Sequence, residues 1–204
     1  MERKTQTGYL FLADISGYTS FVAQTEIEHA DIALSYLLET IVEMLKSKLT
    51  IAKLEGDAVF AYADDGRLTE GRSLLELVDQ TYRAFRDKAS DLFEHATCHC
   101  RACQAIPTLD LKFMVHHGSF VIQQIAGIRD LLGTDVNLLH RLAKNHVSES
   151  TGWTGYALFT DPVLERMPHT RENLFKRCET YEHLGDVDIY CMNMHDRYAP
   201  QRPL

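Results

Sequence analysis

Residues 9–19 have the sequence YLFLADISGYT, which predicts a strand followed by a turn and the start of a helix. Residues 9–13 form a short apolar run typical of a buried strand, and Asp14 ends that run. Residues 15–19 favour a turn that leads into a helix, with Gly17 at its centre. The stretch therefore places a carboxylate at the end of a strand, directly before a helix N-terminus.

Short strands and amphipathic helices alternate along the rest of the chain. Apolar residues recur at helical spacing in residues 34–45 and again in residues 74–85. Further strands are predicted over residues 49–54, 58–62, 109–116, 120–126 and 188–192. The first two flank a turn at Gly56, and the next two flank a turn at Gly118. Helices inserted between antiparallel pairs predict an α+β fold, a ferredoxin-like two-layer sandwich.

Composition excludes several classes of protein. The chain has 204 residues, of which 45% are hydrophobic and 25% charged, so one domain over residues 1–204 can bury a good core. The net charge of −8, with no dense Lys or Arg tract, argues against nucleic acid as a partner. No apolar run approaches the length of a bilayer span, which argues against a membrane protein. A polar N-terminus and an odd count of five cysteines favour a cytoplasmic location.

Two carboxylates are candidates for metal binding. Asp14 closes the first strand and Asp57 lies in the first hairpin turn, so in a ferredoxin-like sheet the two carboxylates can meet at one edge. Two acidic groups held close together repel each other unless a divalent cation lies between them. Backbone amides of residues 16–19 would point to the same place from a helix N-terminus and favour phosphate. Each Asp alone is also explained by helix capping or by the turn that contains it.

Asn137 and Arg141 form a second candidate pair on a helix predicted over residues 136–145. Their i, i+4 spacing places both side chains on one face of that helix. An amide and a guanidinium on one face suit a sugar and a phosphate group. The alternative for this pair is an ordinary solvated helix face.

Four segments resemble the class III adenylyl/guanylyl cyclase catalytic domain, in that family's order. They have the sequences FLADISGYT at residues 11–19, KLEGD at 53–57, VHHG at 115–118 and DLLGTDVNLLHR at 130–141. The resemblance covers a core of about residues 8–145. Closing strands are expected within residues 146–194, followed by a tail over residues 195–204.

The resemblance implies a site for a metal-bound nucleotide. Asp14 and Asp57, with the Ile15 carbonyl, would hold two Mg²⁺ or Mn²⁺ ions per site. A phosphate cradle would be formed by Ser16, Gly17, Tyr18 and Thr19.

The remaining roles that the resemblance implies concern the base, the ribose and the reacting phosphate. Lys53 and Asp130 would recognise adenine, which favours ATP over GTP, while Asn137 would orient the ribose. Arg141 would stabilise charge on the α-phosphate. In the family, the metal carboxylates of one subunit face the other four residues of its partner, so a complete set in one chain implies a homodimer.

A cysteine-rich insertion, residues 95–107, departs from the ordinary cyclase domain. His95, Cys98, Cys100 and Cys103 offer one imidazole and three thiolates, a permissible set for structural Zn²⁺. The alternatives are reduced thiols in a loop or a redox-labile pair. A similar C-x-C-x-x-C insertion occurs in a group of bacterial cyclase-like proteins, which this chain resembles.

The leading expectation is therefore an adenylyl cyclase that converts ATP to 3′,5′-cyclic AMP and pyrophosphate. A catalytically weak or inactive nucleotide-binding or regulatory module is the first alternative, because bulky His140 separates Asn137 from Arg141 where the family has small residues. A zinc-stabilised interaction protein that uses the scaffold only structurally is the second alternative.

Overall fold

An eight-stranded sheet forms the centre of the computed structural model, which describes residues 4–68, 71–167, 171 and 173–198. The strands are β1 (Thr5–Ser16), β2 (Thr50–Glu55), β3 (Ala58–Asp64), β4 (Asp110–Ile125), β5 (Ile128–Leu132), β6 (Tyr156–Thr160), β7 (Phe175–Tyr181) and β8 (Gly185–Asn193). Their order is β2-β3-β1-β4-β6-β8-β7, and β5 pairs with β4. β4 and β6 run parallel, and the other pairs are antiparallel.

Helices cover both faces of this sheet. They are α1 (Tyr18–Gln24), α2 (Ile27–Leu45), α3 (Gly71–Glu94), α4 (Arg101–Ala105), α5 (Thr134–Leu142), α6 (Val147–Thr151), α7 (Asp161–Leu164) and α8 (Met194–Tyr198). A 3₁₀ turn, Ile106–Thr108, joins α4 to β4. The predicted α+β sandwich is confirmed in its class, and none of the described helices is long and apolar enough to cross a membrane.

Strand β1 lies between β3 and β4 and divides the core into two clusters. Tyr9, Phe11 and Ala13 pack with the buried stripes of α2 and α3 on one face. Leu10 and Leu12 pack on the other face, with buried residues of α5. Because side chains alternate along a strand, Asp14 continues the face of Leu10 and Leu12. Burial on both faces explains why the run is continuously apolar rather than alternating.

The predicted turn at Gly118 is wrong. Residue 118 lies inside the single long strand β4 and pairs with Gly8 of β1. A Cβ atom at Gly118 would lie 2.3 Å from Asp135 Oδ2, so the glycine allows α5 to approach the strand closely. The true hairpin turn follows at Ala126 and Gly127, which have φ values of 51° and 84°.

The C-terminal part adds more structure than expected. Within the predicted range 146–194, the closing strands are β6, β7 and β8. The predicted tail begins instead as α8, whose Tyr198 hydroxyl donates a hydrogen bond to Asp87 at 2.8 Å. Residues 199–204 of that tail lie outside the described residues.

Candidate functional site

The carboxylates of Asp14 and Asp57 meet at the end of β1. The amide of Ile15 donates a hydrogen bond of 3.1 Å to the carbonyl of Asp57, which holds the β2–β3 turn against the strand end. Gly56 forms the turn with a φ of 66°. The two carboxyl groups lie close enough for the negative charge of Asp14 to act on Asp57.

These two groups are electrostatically coupled. Burial raises the pKa of Asp57 to about 6, and the negative charge of Asp14 acts in the same direction. The pair therefore favours a proton or a cation between its oxygens. Hard oxygen donors of this kind fit Mg²⁺ or Mn²⁺, so the donor set is compatible with the expected metals.

Lys112 is a site residue that the sequence prediction missed. It pairs with Asp14 in the β1–β4 register, and its Nζ lies 3.0 Å from Asp14 Oδ2. Burial lowers the pKa of Lys112, but the charges of Asp14 and Asp57 outweigh burial and hold that pKa above its usual value. Only the register of β1 against β4, which the sequence leaves open, could have identified this residue.

A surface cavity of about 440 Å³ lies beside the carboxylates. It is lined by Ile15, Ser16, Gly17, Tyr18, Thr19, Ser20, Asp57, Lys112, Ser148 and Thr154. All four residues of the expected phosphate cradle therefore line one cavity together with Asp57 and Lys112. Gly17 has a φ of 87°, a left-handed conformation that redirects the chain from β1 into α1.

Lys53 of β2 and Asp130 of β5 also come together. Lys53 Nζ lies 3.2 Å from Asp130 Oδ1 and 3.0 Å from Glu55 Oε1. Burial raises the pKa of Asp130, but the Leu131 amide and the Lys53 ammonium outweigh burial and hold that pKa below its usual value. The expected base-recognition pair is therefore preformed as an ion pair.

Glu55 and His140 surround this ion pair and were not predicted to belong to it. His140 Nδ1 lies 3.2 Å from Glu55 Oε2, and the imidazole packs edge-on against Phe60 with ring centres 5.0 Å apart. The signal for Glu55 was its position two residues after Lys53, which places both side chains on one face of β2.

Asn137 and Arg141 share one face of α5, as their spacing predicts. Both line a second cavity of about 330 Å³ together with His140 and the β7–β8 turn at residues 182–184. This cavity has no lining residue in common with the cavity beside Asp57. Within one chain, the two halves of the expected site therefore line different cavities.

The cysteine-rich segment forms a compact cluster with a different histidine from the one expected. Cys98, Cys100 and Cys103 converge with His29 of α2, and their ligand atoms all lie within 4.8 Å of one another. His95 instead bonds through Nδ1 to the Asp91 carbonyl at 3.0 Å, on a largely exposed side chain. The predicted role of His95 is wrong, because the last turn of α3 directs its imidazole to its own helix.

Solved structures share this fold. The guanylyl cyclase Cya2 matches with a TM-score of 0.75 and 15% identity over 94% of this chain and 93% of that chain. The adenylyl cyclase CyaB from P. aeruginosa matches with a TM-score of 0.70 and 17% identity over 94% and 95%. A bacterial light-regulated adenylyl cyclase matches with a TM-score of 0.67 and 14% identity, and this chain spans 52% of its length. The fold is therefore that of class III cyclase catalytic domains.

Sequence comparison identifies a relative and a family. The uncharacterized protein Rv2561/Rv2562 of Mycobacterium tuberculosis is 27% identical over 162 residues, which are 79% of this chain and 73% of that protein. The profile of the family described as protein of unknown function DUF2652 matches residues 34–151, more than half of the chain. The chain therefore belongs to the DUF2652 family and has the fold of a nucleotidyl cyclase catalytic domain.

Proposed function

We propose that this protein is a class III adenylyl cyclase, which converts ATP to 3′,5′-cyclic AMP and pyrophosphate. The observation that carries this proposal is that Asp57 and Lys112 line one cavity with residues 16–20, while the Asp14 carboxylate lies beside both of them. A metal-bound nucleoside triphosphate requires carboxylates that bind its metal ions. It also requires a positively charged side chain and backbone amides that bind its phosphates. We also propose a cytoplasmic location, which the odd count of five cysteines favours over a secreted disulfide framework.

Asp14, Asp57 and the Ile15 carbonyl would hold Mg²⁺ or Mn²⁺, with two ions per site. Such ions would lower the pKa of the ribose 3′-hydroxyl and neutralise phosphate charge. The raised pKa of Asp57 supports this assignment, because a bound cation would relieve the repulsion that burial and Asp14 impose.

The chain's own cations and amides would position the triphosphate. Lys112 and residues 16–19 line the same cavity and would bind the phosphate oxygens. Arg141 would stabilise the charge that develops on the α-phosphate as the ribose O3′ attacks it. Asn137, on the same face of α5, would hold the ribose in line for that attack.

Adenine would be recognised by the Lys53–Asp130 pair. Lys53 can donate to adenine N1, and Asp130 can accept from the exocyclic N6 amine. Their ion pair of 3.2 Å holds a donor beside an acceptor before the base arrives, and Glu55 restrains the same ammonium. A guanine site needs the opposite pattern, so the pair favours ATP over GTP.

The active unit would be a homodimer with two composite sites. The Asp57 cavity and the Arg141 cavity share no lining residue, which supports the proposal that a second chain completes each site. Large apolar side chains are exposed on β2, β4 and β5, and they suit a subunit contact. They are Leu54, Ile125, Ile128 and Leu132.

One observation favours a second candidate, a nucleotide-binding module with little or no turnover. The ammonium of Lys112 already occupies Asp14 Oδ2 at 3.0 Å, so a metal ion has to displace it. A site with this ion pair can bind nucleotide without reacting.

The test is cyclic nucleotide formation by the purified full chain. The protein is incubated with ATP or GTP, each with Mn²⁺ or Mg²⁺, and products are identified by mass spectrometry, with Asp57→Ala as the control. Cyclic AMP from the wild type alone supports the proposal. Metal-dependent ATP binding by calorimetry without product supports the second candidate. Neither binding nor product contradicts both.

A further inference from the structure

Four metal-ligating side chains converge outside the candidate cyclase site. His29 lies in the first turn of α2, and three cysteines lie between α3 and the end of α4. His29 Nδ1 is 3.2, 3.1 and 4.0 Å from the sulfurs of Cys98, Cys100 and Cys103. Cys98 Sγ is 3.3 Å from each of the other two sulfurs.

These separations fit a single tetrahedral ion. Zinc binds thiolate sulfur at about 2.3 Å and imidazole nitrogen at about 2.0–2.1 Å, so tetrahedral ligands lie roughly 3.5–3.8 Å apart. The observed separations bracket that range. A cluster of several iron atoms would hold its cysteines farther apart than one ion does.

The chemistry of the set selects the ion. Three thiolates and one imidazole are soft or borderline ligands, which exclude Mg²⁺ and Ca²⁺ and favour zinc. Four protein ligands also leave no open position for substrate, which is typical of structural rather than catalytic zinc. The amide of Cys103 donates to Cys100 Sγ at 3.4 Å and would offset part of that thiolate's charge.

A disulfide explains this cluster less well. A disulfide between two of the cysteines would not explain why the third sulfur and the His29 imidazole lie at the same place. His29 is separated from Cys98 by 69 positions in the sequence, yet its Nδ1 faces the sulfurs. A histidine brought to three thiols from another element is a ligand arrangement.

We propose that His29, Cys98, Cys100 and Cys103 bind one structural Zn²⁺ ion that fastens the start of α2 to the segment between α3 and β4. The ion would close a long loop, so its binding would stabilise the folded chain. The segment then continues through the 3₁₀ turn, where the Thr108 carbonyl would lie 3.3 Å from a Cβ atom on Gly17. The zinc site would therefore also support the loop that lines the cavity beside Asp57.

The first experiment measures metal content. The full chain is purified under reducing conditions without chelator, and elemental analysis is expected to find one zinc per chain. Two pairs of variants test the ligands: His29→Ala against His95→Ala, and Cys103→Ser against Cys178→Ser, whose thiol is exposed on β7. Loss of His29 removes a quarter of the ligands and should weaken zinc binding roughly 100-fold, whereas His95→Ala and Cys178→Ser should retain it.

A second measurement on the wild-type chain does not depend on variants that fold. Zinc is removed with a chelator and replaced by Co²⁺, whose visible absorption identifies tetrahedral thiolate coordination and should disappear when zinc is added. Zinc content near zero after reconstitution would overturn the proposal. So would iron in place of zinc, a disulfide among the three cysteines in the reduced protein, or equal zinc loss in the His29 and His95 variants.

Discussion

Lys112 Nζ lies 3.0 Å from Asp14 Oδ2, and the two residues face each other across the β1–β4 ladder. Both side chains are mostly buried, with exposed fractions of 21% and 14%. An ion pair so placed is screened less by solvent than a surface pair. The ion pair keeps the Lys112 ammonium beside the carboxylates of Asp14 and Asp57. Lys112 also lines the cavity formed by residues 16–20.

Replacing Lys112 should therefore lower turnover. We expect Lys112→Ala to reduce kcat/KM for ATP by about 100-fold, as the loss of one aligned donor to a developing charge commonly does, and Lys112→Arg to retain more activity. Because the Lys112 charge also lowers the pKa of Asp57, the acidic limb of the pH–rate profile should move to higher pH in Lys112→Ala. Lys88→Ala is the matched control, because Lys88 is a half-buried lysine of α3 that pairs with Asp91 away from the candidate site. Unchanged kcat/KM in Lys112→Ala would contradict this role.

Asp57 should destabilise the protein at neutral pH when Mg²⁺ and Mn²⁺ are absent. Burial and Asp14 raise its pKa to about 6, above the unfolded value of about 3.9. The folded state therefore binds more protons between these values, so stability falls as the pH rises from about 4 to 6 and the penalty is complete above 6. We expect Asp57→Asn to gain about 1–3 kcal/mol over the wild type at pH 7.5 but little at pH 4.

The measurement is urea denaturation at several pH values, without Mg²⁺ or Mn²⁺ but also without chelator, so that the cysteine cluster is undisturbed. Adding Mn²⁺ should stabilise the wild type and not Asp57→Asn. Asp31→Asn, at an exposed position of α2, should follow the wild type throughout. A wild type as stable as Asp57→Asn at pH 7.5 would mean that the carboxylate pair is not strained.

Local sequence was enough to predict where the two carboxylates lie, at the end of a strand and in a hairpin turn. Asp14 ends an apolar run and Asp57 follows a glycine in a short hairpin, so both positions follow from adjacent residues. Lys112 was missed because its place depends on the register of two strands far apart in the sequence. His29 was missed for the same kind of reason, since only the packing of α2 against α4 brings it to the cysteines.

Gly118 shows the opposite failure. A glycine between two apolar runs favours a turn, and the sequence offers no sign that Asp135 of α5 needs the space of a side chain at that position. The contact between Gly118 and α5 therefore explains why the chain continues as one strand where local preference predicted a hairpin turn. The fold class was predictable because helical and strand periodicities are long signals that such single positions do not erase.

Base preference should change when the Lys53–Asp130 pair is altered. In Lys53→Glu with Asp130→Asn, the donor at adenine N1 is lost, and the new amide can donate to guanine O6. We expect the ATP-to-GTP ratio of kcat/KM to fall by at least about 10-fold, the value of one hydrogen bond to a charged group. Lys53→Glu alone should be less stable than the double variant, because it adds a third carboxylate beside Glu55 and Asp130.

The matched control is Lys176→Glu with Asp188→Asn, which makes the same changes in an ion pair of 2.6 Å between β7 and β8. Rates for ATP and GTP, measured for both double variants under saturating Mn²⁺, decide the outcome. An equal shift in both, or none in the Lys53 variant, would assign base choice to other residues.

Mixing two inactive variants should restore activity if the site is composite. Asp57→Ala disables the carboxylate half and Arg141→Ala the other half, and these residues line separate cavities of one chain. A heterodimer of the two variants has one intact site and one doubly defective site, so random exchange should recover about a quarter of wild-type activity. Chains with different mass tags, mixed at equal concentration, allow exchange and cyclic AMP formation to be measured in the same sample.

The double variant Asp57→Ala/Arg141→Ala is the control for this experiment. Every heterodimer that it forms with wild type lacks an intact site, so activity should fall on mixing. Demonstrated exchange without rescue would place both halves of the reaction within a single chain.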